Sequence, residues 1–185
     1  MMGSWTRMLE AKVLIFGCGN TLRGDDGLAP AVMHKMHQQY GQITELAFID
    51  AGTSLRTLLF DVLLSASPER IIVLDVVEES GRTPSSINIE HVQGAPSSLP
   101  TENNSHLAPT RELLHAIHTQ TCANIILLTV QIDMIPEGLS DELSESAKKT
   151  IPQLVQTLCE LCSPYLSARS KFLSNVTTSS TISKA

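Results

Sequence analysis

Three aspartates each stand at or shortly after the end of an apolar run that predicts a buried β-strand. They are Asp26 after the run at about 12–16, Asp50 at the end of about 45–50, and Asp75 at the end of 70–75. The carboxyl ends of parallel strands meet at one edge of an open α/β sheet, so we expect these carboxylates to approach one another. Oxygen ligands gathered in this way are typical of sites for divalent cations.

The loop over residues 17–27, with the sequence GCGNTLRGDDG, is open to three interpretations. In the first, Asp25 or Asp26 only caps the helix predicted over about 27–39. A nucleotide site would need a third glycine where Leu22 stands, or a phosphate-loop lysine, and two carboxylates would repel a phosphate. In the third, one carboxylate is kept for a cation.

Composition narrows the class of protein. A chain of 185 residues with 42% hydrophobic content fits one domain with a substantial core. A net charge of −6 argues against a nucleic-acid binder, which usually presents a basic face. The longest apolar runs are far shorter than the approximately 18 residues needed to span a bilayer, and no signal-peptide pattern is present, so we expect a cytoplasmic protein without membrane attachment.

The four cysteines are expected to be reduced thiols in that compartment. Cys159 and Cys162 form a CxxC pair within a helical pattern. Because no second pair stands at zinc-site spacing and no strand precedes this one, the spacing favours helix packing over metal or redox chemistry.

The remaining patterns predict alternating strands and helices. Helices are expected at about 27–39, 54–64, 105–119 and 140–162, and further strands at about 87–92, as an edge strand, and 125–130. Pro152 is expected to kink or divide the last helix. The prediction is a single three-layer α/β domain over 12–162, with a mostly parallel central sheet of about five strands flanked by helices. Residues 1–11 are expected to form a loose leader, 93–104 a mobile loop and 163–185 a disordered tail.

The segment over residues 19–27 resembles the opening motif of the hydrogenase maturation endopeptidases. These enzymes trim the C-terminal extension from the large subunit of nickel-iron hydrogenases. Later blocks are similar in the same order across about 12–162: Asp50-Ala51-Gly52-Thr53, Val73-Leu74-Asp75, Ser105-His106 and Gly138-Leu139-Ser140. Among the branches of the family, residues 17–20 and 50–53 look most like the enzymes that serve deazaflavin-reducing hydrogenases.

The resemblance implies that Asp26, Asp75 and His106 engage nickel and carry the catalysis. That nickel is the one already mounted in the hydrogenase precursor, and no nucleotide is implied. The resemblance also implies cleavage after the last metal-binding cysteine motif, an aspartic-type class, a large-subunit precursor as partner and a monomeric enzyme. The implied substrate contacts are Asp50, Gly52 and Thr53.

Other interpretations remain at this stage. Residues 50–53 could be simple turn and cap chemistry, since a pepsin-like pair of carboxylates would need a second copy. No GxSxG elbow, HExxH helix or cysteine–histidine site supplies a nucleophile, so a water activated by a carboxylate or polarised by the metal is the hypothesis. A metal-sensing chaperone that binds the precursor without cutting it is the alternative, and a nucleotide-binding regulator is a third class.

Overall fold

The computed structural model describes residues 8–78, 81–92, 108–135 and 138–166. Five strands and four α-helices follow one another along the chain. They are β1 (Val13–Cys18), α1 (Leu28–Tyr40), β2 (Leu46–Gly52), α2 (Leu55–Ser65), β3 (Arg70–Val77), β4 (Ile87–Val92), α3 (Ala108–Thr121), β5 (Asn124–Gln131) and α4 (Glu145–Leu161). A short 3-10 turn, Gly24–Gly27, precedes α1.

The strands form one sheet in the order β2-β1-β3-β5-β4. β1 pairs in parallel with β2 and β3, and β3 pairs in parallel with β5. β4 pairs with β5 in the antiparallel sense and forms an edge of the sheet. The predicted α/β class, the mostly parallel five-stranded sheet and the edge position of residues 87–92 are confirmed.

The two faces of the sheet carry separate halves of the core. Successive side chains of a strand point to opposite faces, so Val13 and Ile15 pack with α1 and α4, whereas Leu14 and Phe16 pack with α2 and α3. Each of these four side chains is fully buried. Burial of one such side chain contributes about 1.5–3 kcal/mol relative to exposure, and β1 gains this on both faces. β1, an interior strand of the sheet, is therefore a rigid base for the loop that follows it.

The contacts of the domain extend past the predicted limits at both ends of the described chain. Met8 and Leu9 pack beside the α2/α3 half of the core, and Tyr165 and Leu166 pack beside the α1/α4 half. The hydroxyl of Tyr165 donates to Oε2 of Glu69 at 3.0 Å. The rest of the expected leader and tail, residues 1–7 and 167–185, lies outside the described residues.

The last helix differs from the prediction. It begins at Glu145 rather than near 140, because Ser140 is held in an extended pairing and Ser144 occupies the N-cap, where its side chain accepts a hydrogen bond from the N–H of Ala147. Pro152 lies inside α4 but does not divide it, so that part of the prediction is wrong.

The CxxC pair serves packing, as its spacing favours. Cys162 is fully buried in the α1/α4 half of the core and Cys159 packs against it. Burial raises the pKa of the Cys162 thiol to about 12. All four cysteines are free.

No helix in the described part of the chain is long and apolar enough to cross a membrane.

Candidate active site

The carboxyl ends of β1, β2 and β3 lie side by side. Gly17 of β1 pairs with Asp50 on β2 and with Leu74 on β3. Asp75 directly follows Leu74, so Asp50 and Asp75 flank the end of β1 on either side. Asp26 returns to this edge through the loop after β1, where its Oδ2 accepts a hydrogen bond from the N–H of Asn20 at 2.9 Å.

Cys18, the last residue of β1, lies among these carboxylates. Its side chain is buried, and desolvation raises the pKa of the thiol well above its usual value. The charges of Asp75, Asp50 and Asp26 raise that pKa further, in that order. All three aspartates therefore act on one buried thiol, as expected from the common edge of parallel strands. Sequence reasoning did not assign Cys18 to the site, although its place at the end of the first strand could have indicated it.

The adjacent aspartates of the first loop have different surroundings. Asp25 is buried, at 6% exposure, and its carboxylate accepts hydrogen bonds from the N–H and the Oγ of Ser144, both at 2.7 Å. Asp26 is half-buried and binds the backbone of its own loop. Neither makes a capping hydrogen bond, because the 3-10 turn and α1 both lack a side-chain cap. The capping interpretation of these residues is therefore wrong.

Gly19 allows the loop to fold onto Asp26. Its φ angle is +130°, and a Cβ at this position would lie 1.9 Å from the carbonyl oxygen of Asp26. Any side chain here would clash with rigid backbone, so this close approach requires glycine. The N–H of Gly19 also donates to the carbonyl of Gly52 at 3.0 Å, which ties the first loop to the end of β2.

The substrate-contact residues implied by the resemblance lie at the same edge. Oδ1 of Asp50 accepts the N–H of Gly52 at 3.0 Å, which is a local turn of the side chain onto its own backbone. Gly52 has a φ angle of +50° and is half-buried, while Asp50 and Thr53 are exposed. This geometry accounts for the turn and leaves Thr53 accessible at the edge.

His106 is the third ligand that the resemblance implies. Ser105, His106 and the predicted loop over 93–104 lie outside the described residues. Within the described ranges no group of three or more histidine, cysteine, aspartate or glutamate side chains is arranged to hold a metal ion. Oδ1 of Asp75 accepts the N–H of Val76 at 2.9 Å, and Asp75 is half-buried. Asp26 and Asp75 thus do not complete a metal site from the described residues alone.

Comparison with known families gives this edge its context. The sequence profile of HycI, described as hydrogenase maturation protease, matches residues 30–161. The chain belongs to the hydrogenase maturation protease family. The resemblance inferred from the motifs is confirmed, and membership implies a hydrolase that acts as a protease. The match includes Asp50, Asp75 and His106 and begins after Asp26.

The chain is also similar to individual proteins and solved structures. The chain is 26% identical over 154 residues to the coenzyme F420 hydrogenase subunit delta of Methanothermobacter thermautotrophicus, covering 82% of this chain and 94% of that protein. The crystal structure of the [NiFe] hydrogenase maturation protease HycI from Thermococcus kodakarensis KOD1 superposes with a TM-score of 0.65 at 20% identity, covering 83% of this chain and 94% of that one. A hydrogenase 2 maturation peptidase from a Thaumarchaeota archaeon gives a TM-score of 0.52 at 28% identity, with coverage of 82% and 98%.

The proteins of this family act on hydrogenase large-subunit precursors. A macromolecular substrate suits an edge formed by exposed loops, which are common positions for binding residues. In the described part of the chain, Asp50 and Thr53 are exposed at this edge, and Asp26 and Asp75 are half-buried.

Proposed function

We propose that the protein is an endopeptidase that removes the C-terminal extension of a nickel-iron hydrogenase large-subunit precursor after nickel has been inserted. The observation that carries the proposal is the convergence of Asp26, Asp50 and Asp75 around Cys18 at one sheet edge, in a chain that belongs to this protease family. Asp26, Asp75 and His106 are the residues proposed to recognise the metal.

The nickel in this proposal is part of the substrate. Two carboxylates and an imidazole are a mixed donor set that suits a borderline divalent ion and leaves positions open for the ligands of the precursor. Within the described residues, Oδ1 of Asp26 has no hydrogen-bond partner, so it can reach a metal without breaking a bond of the loop. A protease that contacts the metal gains binding free energy only from loaded precursor, and this difference makes it selective.

For the hydrolytic step we propose a water as the nucleophile. A carboxylate can take a proton from that water, and Asp26 is the candidate because it combines partial burial with a free oxygen. The metal of the precursor would in addition polarise the water or the scissile carbonyl. The aspartic-type class is therefore proposed with a single-site carboxylate rather than a pepsin-like pair.

The branch and the compartment are proposed on separate grounds. The relative named as a coenzyme F420 hydrogenase subunit supports the branch that serves deazaflavin-reducing hydrogenases. The four free cysteines support a reducing compartment, and hence the cytoplasm.

The test is incubation of the purified protein with nickel-loaded and nickel-free precursor, followed by intact-mass analysis. We expect loss of a C-terminal peptide from the loaded form alone. If neither form is cleaved but the loaded form is bound, the protein is a metal-sensing chaperone and not an endopeptidase. Equal cleavage of both forms would contradict metal recognition but not the protease.

Single substitutions test the carboxylates. Asp26→Asn keeps the size of the side chain and its bond from Asn20 but removes the charge, so we expect processing to fall by at least about 100-fold with unchanged thermal stability. Glu112→Gln, on the exposed surface of α3, is the charge-matched control and should process normally. Undiminished processing by a folded Asp26→Asn variant would contradict the role of this carboxylate.

A further inference from the structure

Residues 138–141 run alongside the loop that carries Asp26. Arg23 and Ser140 form a parallel bridge, in which the N–H of Gly24 donates to the carbonyl of Ser140 at 2.6 Å and the N–H of Ser140 donates to the carbonyl of Leu22 at 2.9 Å. This is a short piece of β-pairing outside the main sheet. The pairing places Ser140 beside Arg23, which is two residues before Asp25 in the loop that carries Asp26.

One side of this pairing is open. Because backbone groups alternate in direction along an extended chain, the N–H and C=O of Leu139 and Asp141 point away from Leu22 and Gly24. These groups have no hydrogen-bond partner among the described residues. The opposite side is closed, since the N–H and C=O of Arg23 are used in turns with Asn20 and Asp26. Residues 138–141 therefore present a free edge to which another extended chain can pair.

Exposed apolar side chains lie in the loops around this edge. Leu139 is 85% exposed, Met134 65% and Leu22 53%. The other large exposed apolar residues in the described chain lie on α2 and β4. Leu22 and Leu139 flank the same bridge, so two exposed apolar side chains lie next to unpaired backbone, as is typical of a surface that binds protein.

The charge around the edge is acidic. Among the described residues, the carboxylates in this segment and in the loop paired with it are Asp25, Asp26, Asp141 and Glu142, and they outnumber the nearby cations, Arg23 and Lys148. This excess favours a partner segment with basic side chains among its apolar ones. It disfavours a second copy of this acidic chain, whose net charge is −6.

We propose that residues 138–141 are the docking edge for the C-terminal segment of the precursor, which adds to them as a β-strand. Its backbone pairs with Leu139 and Asp141 and its apolar side chains contact Leu139. Strand addition holds a peptide extended, the conformation in which a scissile bond is accessible, beside a segment whose other side is bonded to the loop that carries Asp26. This inference rests on the proposed function for the identity of the peptide.

Alternate N-methylation of the peptide tests the backbone pairing. The probe is a fluorescein-labelled synthetic peptide with the sequence of the precursor's C-terminal segment, and affinity for the full-length protein is measured by fluorescence anisotropy. Two further peptides carry N-methyl groups at odd or at even positions. Since only alternate N–H groups face the edge, we expect one series to lose about tenfold or more in affinity and the other to retain it. Equal loss in both series, or in neither, would overturn strand addition.

Paired leucine substitutions test the location. Leu139→Ala should weaken binding by about tenfold, whereas Leu64→Ala, which removes a side chain of 80% exposure on α2, should leave it unchanged. Both residues are exposed, so neither change is expected to unfold the protein. Equal affinities of the two variants for the peptide would overturn the assignment. It would also be overturned if the wild-type protein dimerised with increasing concentration and Leu139→Ala abolished this, because the edge would then be a contact between copies of the chain.

The binding assay needs neither nickel nor cleavage, so it separates this inference from the proposed function. If the wild-type protein binds the peptide, with one N-methylated series weaker than the other, but never cuts loaded precursor, the docking edge is supported and the protease activity is contradicted. A protein that cuts loaded precursor with Leu139→Ala and Leu64→Ala equally active has the proposed function without this edge.

Discussion

The carboxylate of Asp25 is predicted to be a main stabilising contact between the first loop and the start of α4. Its two oxygens accept the N–H and the Oγ of Ser144 at 2.7 Å each, although the two residues are 119 positions apart in the chain. The perturbation is Asp25→Ala, with Ser144→Ala as its partner in a double-mutant cycle. Both variants leave Asp26 in place.

The expected loss of stability can be worked out from these contacts. A hydrogen bond to a charged group contributes about 1.5–3 kcal/mol, and we use the lower value because Ser144 is exposed and its released donors can bind water. Asp25→Ala removes two such bonds, so the free energy of unfolding should fall by about 3 kcal/mol. Ser144→Ala removes one of them and the cap to Ala147, worth about 1 kcal/mol, for a total of about 2.5 kcal/mol. The shared bond predicts a coupling of about 1.5 kcal/mol in the double variant.

Urea unfolding followed by circular dichroism measures these values. With a denaturant slope of about 2 kcal/mol per molar, Asp25→Ala should lower the midpoint by about 1.5 M. Ser54→Ala is the matched control, because Ser54 precedes α2 without making a side-chain cap, and its midpoint should hardly move. A shift below about 0.5 M for Asp25→Ala, or additive effects of the two substitutions, would refute the reasoning.

Two further predictions concern groups away from the candidate site. Arg111 donates two hydrogen bonds to Glu90, at 2.6 and 2.9 Å, and holds the pKa of that carboxyl below its usual value. The stability that this ion pair contributes is present above the unfolded pKa of Glu90 and is lost as pH falls through the lowered folded pKa. Both side chains are partly exposed, so Glu90→Gln should lower the free energy of unfolding by at most about 1 kcal/mol at neutral pH. Below both pKa values the substitution should have no effect, and urea midpoints measured at two pH values would show this difference. Alkylation followed by mass spectrometry should modify exposed Cys122 in the native protein and spare buried Cys18, whose pKa is raised by burial; labelling of both at equal rates would contradict the buried position of Cys18.

The elements of the fold follow from local patterns. Apolar runs predicted β1, β2, β3 and β5 because each is buried on at least one face over its whole length, and alternation predicted β4 because it is an edge. The start of α4 could not be predicted in this way. Serine is a residue type that often begins a helix, but the N–H and C=O of Ser140 pair with Leu22 and Gly24 in a segment far away in sequence.

The sequence predicted the candidate site only in part, as it did the fold. The common edge of parallel strands was enough to expect Asp50 and Asp75 near one another, because strand ends are a local signal. The separation of Asp25 from Asp26 was not, since both are aspartates in one loop and only the position of Ser144 distinguishes them. Sequence spacing cannot supply a contact that depends on how α4 packs on α1.

The two adjacent aspartates are proposed to have different roles: Asp25 stabilises the contact of the first loop with α4, and Asp26 takes part in the chemistry. Three contacts hold the segment from 140 to 144 against the first loop: the two backbone bonds of Ser140 and the carboxylate of Asp25. That segment overlaps the proposed docking edge, residues 138–141, at Ser140 and Asp141. A buried carboxylate that is saturated by two donors cannot also bind a metal or accept a proton without losing them, and this supports the proposal that the half-buried Asp26 is the aspartate that meets the substrate. Loss of Asp25 should therefore loosen the edge and weaken peptide binding although Asp25 touches no substrate, whereas loss of Asp26 should leave the edge intact and remove the chemistry beside it.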